Sequence, residues 1–455
     1  MKPNRHLNRR DFLRTSALAS VGMMGLAACA VPGAAPTGSG DGDASPSEEN
    51  VTLQFVVDII NEGHVSVRDK WSQEFMELHP NVTVEHQPTP WGDYHTKIQT
   101  MLAAGTPADI YRYVQEVTPI VAVHEKKIHI ALDDFIERDN YDLTAFKPES
   151  IVLYQWEGNT YGLPRDYGNQ NFYYNKTMYE EAGITPPPAD WEDTDYTFDV
   201  FLEDMLALTK RSGDKTEQWG CTVTRGVRPM ASYLYCNGGG LIHKDESGIA
   251  RETALTDENS VQMLQFLQDL MYVHNVAPSP DVESETGGRE LFNSGKVATM
   301  LTNPSAVNTF RAIETFEWDV GTLPIGDTDR RGTGGGGTGW ASFTGGASPE
   351  WSWQFIAHIT SEQAELDEVS VGATTPSRIA VIESDAFLAP DLPPENAQIF
   401  GQAQGYVVRD PVHVDWREIL QRVYNPNLDL LWGGIEDAET VVNLIAEEAN
   451  PMFAK

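Results

Sequence analysis

The feature that most limits how this chain can fold is a regular alternation of strand-like and helical segments. An apolar run over 51–60 predicts a strand, and apolar spacing on one face over 67–78 predicts a helix. The pattern continues with a strand at 81–86, a helix at 94–104 and a strand at 108–114. This βαβαβ order favours an open α/β sheet with function at the strand ends.

The rest of the chain also contains both strand-like and helical segments. Residues 172–174 and 297–301 are further candidate strands, and residues 257–274 and 437–449 have helical spacing. The body from residue 51 to residue 455 is too long for one growing hydrophobic core, so we expect two lobes. We expect an α/β fold in both.

The N-terminal segment resembles an export and anchoring signal. Arg9 and Arg10 precede an apolar stretch over 17–28, which is too short to cross a hydrocarbon core of about 20 helical residues. Paired arginines are typical of twin-arginine export, and Leu26-Ala27-Ala28-Cys29 resembles a lipobox. We expect a signal peptide at 1–28, lipidation of Cys29, and a flexible linker over 29–50 that holds the body outside the cytoplasmic membrane.

The charge balance excludes some partners. The chain has 67 acidic and 32 basic residues, a formal charge of −35. Phosphate backbones would be repelled, so we expect no nucleic acid partner. An acidic rim around a binding site would also disfavour anionic ligands. Composition does not decide whether this excess reflects an unusual habitat or a solvated surface.

Apart from Cys29, the cysteines are Cys221 and Cys236, without metal-ligand spacing. Outside the cytoplasm these two could form a disulfide, which we favour, or remain two buried thiols. We expect no metal and no cofactor. The many carboxylates could supply a glycosidase pair, but acidic chains offer such pairs everywhere.

Several separate stretches resemble one family. Gly105-Thr106-Pro107-Ala108-Asp109 follows a helix as in its "AAGTPPDV" segment, with Ala108 in place of a second proline. Tyr161 to Pro164, followed by Tyr173 to Lys176 and Glu181 to Ile184, is similar to its "YGLP … YYNK … EAGI" signature. Gly295 to Met300 and Gly339 to Ser342 resemble two further motifs. The family is the bacterial extracellular solute-binding proteins of ABC importers, in the maltose-binding-like group (family 1) that carries sugars.

The resemblance implies a two-lobed periplasmic-binding-protein fold of type II, with a hinged cleft between the lobes. It places lobe 1 at 51–165 and 345–370 and lobe 2 at 166–344 and 371–455. The implied function is a monomeric lipoprotein, not an enzyme, that captures a sugar or oligosaccharide and delivers it to an ABC permease. A secreted carbohydrate-active enzyme and a receptor for a non-sugar solute remain the alternatives.

A sugar site needs aromatic platforms and paired polar groups. Trp340, after the glycine run 334–337, is our candidate platform, with a core tryptophan at the hinge as the alternative. We expect Asp166 to line the implied cleft, with a surface pairing to Arg165 as the alternative. Asp109 either anchors a strand end, which we favour, or lines the cleft. The other candidates follow strand ends or match the family by position only: Asn61, Glu62, Trp91, Tyr113, Gln115, Glu116, Tyr167, Asn303, Arg378 and Trp416.

Overall fold

The fold is a mixed α/β architecture with two central sheets. The computed structural model describes residues 50–454 except 116–117, 214, 329 and 373–374. The expected export signal and the lipid site at Cys29 therefore lie outside the described residues, as does Glu116. Within the described part, none of the helices is both long and apolar enough to span a membrane.

The strands, in chain order, are β1 (Val51–Ile59), β2 (Val82–Pro90), β3 (Ile110–Tyr113), β4 (Gln155–Trp156), β5 (Asn159–Thr160), β6 (Leu163–Pro164), β7 (Asn171–Asn175), β8 (Lys210–Ser212), β9 (Lys215–Cys221), β10 (Ile242–Lys244), β11 (Ala250–Thr253), β12 (Val297–Thr302), β13 (Trp318–Gly321), β14 (Thr333–Gly335), β15 (Gly339–Ala341) and β16 (Val407–Arg409).

The α-helices are α1 (Glu62–Leu78), α2 (Trp91–Ala104), α3 (Ile120–Glu125), α4 (Asp133–Asp139), α5 (Pro148–Ile151), α6 (Lys176–Ala182), α7 (Phe198–Leu208), α8 (Val227–Cys236), α9 (Glu258–Tyr272), α10 (Pro280–Thr286), α11 (Gly288–Asn293), α12 (Val307–Phe310), α13 (Pro349–Ile359), α14 (Glu362–Ser370), α15 (Ile379–Ile382), α16 (Asp385–Leu388), α17 (Gln398–Ala403), α18 (Trp416–Ile419), α19 (Asn425–Trp432) and α20 (Ala438–Phe453).

Sheet 1 has the order β2-β1-β3-β15-β6 and forms the centre of lobe 1. β1 pairs in parallel with β2 and β3, whereas β15 runs antiparallel to β3 and β6. Alternate side chains of β1 enter two separate hydrophobic clusters: Phe55 packs with Trp71 of α1, and Val56 packs with Tyr94 of α2. Sheet 1 is therefore covered by helices on both faces, which confirms the predicted βαβαβ unit.

Sheet 2 has the order β13-β7-β12-β9-β8 and forms the centre of lobe 2. β12 runs parallel to β9, and β7 pairs antiparallel with β12 and β13. One large cluster packs its strands against helices α7, α8, α9 and α20. The strands predicted at 172–174 and 297–301 and the helices predicted at 257–274 and 437–449 are all present.

Three chain segments connect the two sheets and contact one another. Gly168 and Gly336 exchange backbone hydrogen bonds of 2.9 and 3.0 Å, and the Tyr167 N–H donates to the Thr375 carbonyl at 3.0 Å. β15 belongs to sheet 1, so residues 339–344, which we expected in lobe 2, lie with lobe 1 instead. The second crossing is therefore at 335–338, just before β15.

The glycine run at this crossing serves backbone packing. A Cβ on Gly335 would come within 2.3 Å of the Gly168 carbonyl oxygen, and a Cβ on Gly337 within 2.2 Å of the Asp166 carbonyl oxygen. Only glycine permits this approach. The sequence suggested that these glycines let the backbone approach a ligand, whereas in the structure they let two crossing segments approach each other.

Cys221 and Cys236 are both buried free thiols, so the favoured disulfide prediction is wrong. Cys221 ends β9 of sheet 2, and Cys236 ends α8. The Cys236 thiol donates a hydrogen bond to the Gly332 carbonyl at 3.1 Å. Burial raises the pKa of Cys236 to about 11 and that of Cys221 further, so both stay protonated at neutral pH.

Candidate ligand-binding cleft

The main site candidate is a cavity of about 690 Å³ lined by both lobes and by the crossing segments. Lobe 1 contributes Ile59 and Ile60 at the end of β1 and Trp91 at the start of α2. Lobe 2 contributes Arg289 of α11 and Asn303 in the loop after β12. The carboxyl ends of β1 and β12 thus face one space, as expected for function at strand ends.

A smaller cavity of about 300 Å³ shares Arg228, Gly336 and Gly337 with the larger one. Its lining includes the predicted Gln115 and the half-buried Trp156 of β4. The Gln115 amide donates to the Leu153 carbonyl, which fixes its orientation. The two adjoining cavities together are called the cleft below.

Trp91 is an exposed aromatic platform in the larger cavity of the cleft. It is 46% exposed, and the Arg112 guanidinium lies 5.1 Å from its ring centroid. His95 meets the ring edge-on at a centroid distance of 4.5 Å. A broad apolar ring held beside charged groups suits the C–H face and hydroxyl rim of a sugar.

Asp58 and Arg112 form an ion pair beneath this platform, and both line the cleft. Both are almost fully buried. Burial alone would raise the pKa of Asp58, but Arg112, Arg68 and Arg165 lower it below its usual value. Asp58 is therefore an anion held in place by arginines.

Asp166 lines the cleft and also joins two crossing segments. It accepts hydrogen bonds from the Thr338 N–H at 2.7 Å and the Thr338 hydroxyl at 2.9 Å, and it pairs with Arg165. The predicted cleft position and the alternative pairing with Arg165 are thus both observed. Its place at a crossing makes it a group that would sense relative movement of the lobes.

A buried charge network lies behind this crossing. Glu368 of α14 pairs with Arg165, lies 3.6 Å from the Arg68 Nε atom and lies 3.5 Å from the His64 Nε2 atom. Burial would raise the pKa of Glu368, but Arg165 and Arg68 lower it to about 2. Burial lowers the pKa of His64 to about 4, so this imidazole is neutral at physiological pH. The network fixes α1 and α14 to the first crossing.

Asn303 lies in the cleft and accepts hydrogen bonds from the Ser305 N–H at 3.1 Å and from Arg289 Nη2 at 3.3 Å.

Asp109 is buried and accepts from the Gln54 N–H at 2.7 Å and from the Ala347 N–H. Its predicted role as a strand anchor is confirmed.

Trp340 does not line the cleft. It is 1% exposed, because β15 lies between β3 and β6 and directs the ring into the core of lobe 1. The ring meets Trp71 edge-on at 6.3 Å and Phe55 at 5.5 Å between centroids. The prediction that Trp340 stacks on a ligand is wrong, and the alternative of a core tryptophan is confirmed.

Three other aromatic candidates also pack in the hydrophobic core and do not line the cleft. Tyr113 and Tyr167 are almost completely buried in the second cluster of lobe 1. Trp416 packs against Tyr424 and Phe453 in the core of lobe 2. Tyr113 ends β3 and Tyr167 lies at a crossing, near the predicted places, and Trp416, which matched the family by position only, begins α18; all three side chains turn inward.

Three further candidates do not line the cleft: Asn61, Glu62 and Arg378. Asn61 caps α1 by accepting from the His64 N–H at 2.9 Å, and Glu62 is exposed on the first turn of that helix. Arg378 donates to the Thr360 carbonyl at 2.7 Å and to the Tyr141 hydroxyl at 3.0 Å. These contacts explain the positions without a ligand.

Sequence reasoning missed most of the charged lining. The lining side chains that it did not name as candidates are Asp58, Arg112, Arg165, Arg228, Arg289, Lys244, Arg409 and Asp410. Asp58 and Arg112 lie inside the predicted first and third strands, near their ends, and Arg165 is next to the predicted Asp166, so these three positions were available as signals. The others come from distant helices and short strands, and only the fold brings them together. The described residues contain no group of His, Cys, Asp and Glu side chains that could hold a metal ion.

Comparison with known proteins agrees with this architecture. Residues 70–394 match the family described as bacterial extracellular solute-binding protein. The chain belongs to this family. The match covers well over half of the chain and includes all three crossing segments.

The chain is similar to a putative binding protein of Brucella abortus, with 24% identity over 62% of this chain and 65% of the relative. An arabinooligosaccharide-binding protein of Halalkalibacterium halodurans is 26% identical over 54% of this chain and 50% of its own length. The alignments thus span between half and two-thirds of these relatives.

Two solved structures share the fold. An ABC substrate-binding protein from Listeria monocytogenes, solved in complex with cycloalternan, has a TM-score of 0.75 at 21% identity, covering 90% of this chain and all of that one. The GacH receptor of Streptomyces glaucescens, solved unliganded and with acarbose, has a TM-score of 0.73 at 19% identity over 89% and 98%. The two-lobed periplasmic-binding-protein fold predicted from the sequence is confirmed.

Proposed function

We propose that this protein is an extracytoplasmic receptor that binds a carbohydrate in its cleft and delivers it to an ABC permease. The observation that carries the proposal is the exposed Trp91 ring beside the fixed Asp58–Arg112 pair, in a cleft lined by both lobes. The name of the arabinooligosaccharide-binding relative and the cycloalternan bound in the Listeria monocytogenes structure support the same ligand class.

Capture would work by closure of the lobes around the ligand. A ligand stacked on Trp91 would reach Asn303 and Arg289 of the other lobe across the larger cavity. Contacts with both lobes favour the closed state, because a ligand stabilises the conformation in which it makes more contacts. Asp166 and Thr338, which join two crossings, would be the polar contacts nearest to the bend.

We further propose export by the twin-arginine route and attachment by lipid at Cys29. The support is the sequence pattern at 9–29 and the linker composition over 30–50. The lipid would keep a monomeric receptor close to its permease, which raises the effective concentration of the loaded receptor. The receptor would leave the ligand chemically unchanged.

The test is a thermal-shift screen of the chain from residue 50 against mono- and oligosaccharides, polyols and amino acids. We expect the melting temperature to rise with a carbohydrate, since ligand that binds only the folded state stabilises it by mass action. Chromatography of the recovered ligand should show it intact. Cleaved ligand would make the protein an enzyme, and a shift only with polyols or amino acids would refute the carbohydrate assignment.

A further inference from the structure

The cleft carries the opposite charge balance from the chain. Acidic residues outnumber basic ones by 67 to 32 overall. Among the described residues that line the cleft, six cations face three carboxylates. The cations are Arg112, Arg165, Arg228, Arg289, Lys244 and Arg409, and the carboxylates are Asp58, Asp166 and Asp410. A site for a neutral sugar does not need this excess.

Each of the three lining carboxylates already has an arginine partner. The pairs are Asp58 with Arg112, Asp166 with Arg165, and Asp410 with Arg228. The carboxylates of the cleft are therefore neutralised within the protein. For Arg289, Lys244 and Arg409, no carboxylate of the described residues lies within ion-pair distance.

Arg289 is the most constrained of these three cations. Its Nη2 donates to the hydroxyls of Thr302 and Ser305 at 3.2 and 2.9 Å and to the Asn303 side-chain oxygen at 3.3 Å. All three partners are neutral, so they fix the guanidinium without cancelling its charge. Burial lowers the pKa of Arg289, and only Tyr173 acts against this shift. A planar guanidinium held in this way matches the two oxygens of an oxyanion.

Lys244 and Arg409 supply positive charge at the smaller cavity. They lie on β10 and β16 and are both exposed to solvent. Partial burial and the charge of Arg409 lower the pKa of Lys244. Two neighbouring cations repel each other, and a bound anion would relieve that repulsion.

We propose that the ligand is an acidic carbohydrate, whose carboxylate or sulfate ester binds Arg289. This inference rests on the proposed carbohydrate-receptor function. Trp91 takes the sugar face, Arg289 takes the oxyanion in the larger cavity, and Lys244 and Arg409 attract a further acidic unit at the smaller one. This proposal reverses the expectation from composition that the binding site would disfavour anionic ligands.

The experiment compares acidic oligosaccharides with matched neutral forms by isothermal titration calorimetry. Uronate oligosaccharides are paired with their carboxyl-reduced counterparts, and sulfated oligosaccharides with their desulfated counterparts. We expect one acidic series to bind at least about tenfold more tightly than its neutral form, the loss expected for one charge-assisted hydrogen-bonded contact. Higher salt should weaken binding of the acidic form only.

The Arg289→Gln variant should remove about tenfold or more of the preference for the acidic form. Arg311→Gln is the matched control, since Arg311 is also partly buried, has no carboxylate partner among the described residues and lines a cavity outside the cleft. Arg289→Lys should retain part of the preference, because it keeps the charge but loses the planar fork. Equal binding of acidic and neutral forms, or an unchanged preference in Arg289→Gln, would overturn the inference.

Failure of the two proposals is distinguishable. Tight binding of a neutral oligosaccharide with no preference for its acidic form keeps the receptor function and removes the acidic ligand. Binding of a simple dicarboxylate or inorganic sulfate that depends on Arg289, without binding of any carbohydrate, overturns both the carbohydrate assignment and the acidic sugar. If no member of either series binds, both the carbohydrate assignment and the acidic ligand are overturned.

Discussion

The two tryptophans Trp91 and Trp340 should have opposite roles, and alanine variants separate them. Trp340 is 1% exposed in the core of lobe 1, whereas Trp91 is 46% exposed in the cleft. Replacing a buried tryptophan by alanine costs about 3–5 kcal/mol of stability, because it removes packing and leaves a cavity. We therefore expect Trp340→Ala to lower the free energy of unfolding by that amount and to leave the affinity of the folded protein nearly unchanged.

For Trp91→Ala, the expected loss of binding free energy follows from the exposed area of the ring. A tryptophan offers up to about 250 Å², so 46% exposure leaves roughly 115 Å² for a ligand. A sugar that covers about half of this area gains about 1.5 kcal/mol at about 25 cal/mol per Å². Trp91→Ala should therefore weaken binding about tenfold. Its loss of stability should be clearly smaller than that of Trp340→Ala.

The assay measures both quantities for each variant. Urea titration without ligand gives the free energy of unfolding, and calorimetry with the oligosaccharide that gives the largest thermal shift gives the affinity. Leu78→Ala, at an exposed position outside the cleft lining, is the control for both. Weakened binding with unchanged stability in Trp340→Ala, together with full affinity in Trp91→Ala, would refute this assignment of roles.

Three further predictions concern the hinge and the core. Glu368 has a folded pKa of about 2 against 4.5 for the free side chain, so its stabilisation of about 3 kcal/mol is complete above pH 4.5 and is lost as the pH falls towards 2. The stability difference between the wild type and Glu368→Gln, measured by urea titration, should shrink over that range. Glu77→Gln, at an exposed position, is the control variant. A constant difference for Glu368→Gln would contradict the network. Gly337→Ala should cost about 1–3 kcal/mol, because the new Cβ meets the Asp166 carbonyl oxygen, and Gly405→Ala, with open space around it, should cost less than 1 kcal/mol in the same titration. Equal effects of the two alanines would refute the close approach of the crossings. Cys221 and Cys236 should react with a thiol reagent only after unfolding, and reducing agent should leave the melting temperature unchanged; finding fewer than two reactive thiols in the unfolded chain would show that they are bonded after all.

The elements of the fold were predictable because their signals are local. A strand with apolar residues and a helix with apolar spacing of three and four show their period within ten to fifteen residues. β1, α1, β2, α2 and β3 were all predicted within a few residues of their observed ends. The pairing of β15 with β3 and β6 was not predictable in this way, since those partners are distant in sequence.

The burial of a single side chain is decided by that distant pairing. Trp340 follows a glycine run, which suggested a loop near a ligand, but the strand that contains it fills the gap between β3 and β6. Trp91 follows Pro90 in sequence and begins α2, so no second strand covers it. The two tryptophans have similar local surroundings, and only the sheet order separates a core residue from a platform.

The charge of the cleft shows the same limit for electrostatics. A sum over the sequence gives −35, and it led us to expect that anions would be disfavoured. A ligand, however, responds to the groups within about one Debye length, and partly buried groups are screened least. In the cleft the carboxylates are paired with arginines, while the guanidinium of Arg289 meets only neutral oxygen atoms. Among the described lining residues, the charged groups without a carboxylate partner, Arg289, Lys244 and Arg409, are therefore cations although the total charge is negative, because the fold, and not the composition, decides which charges are paired.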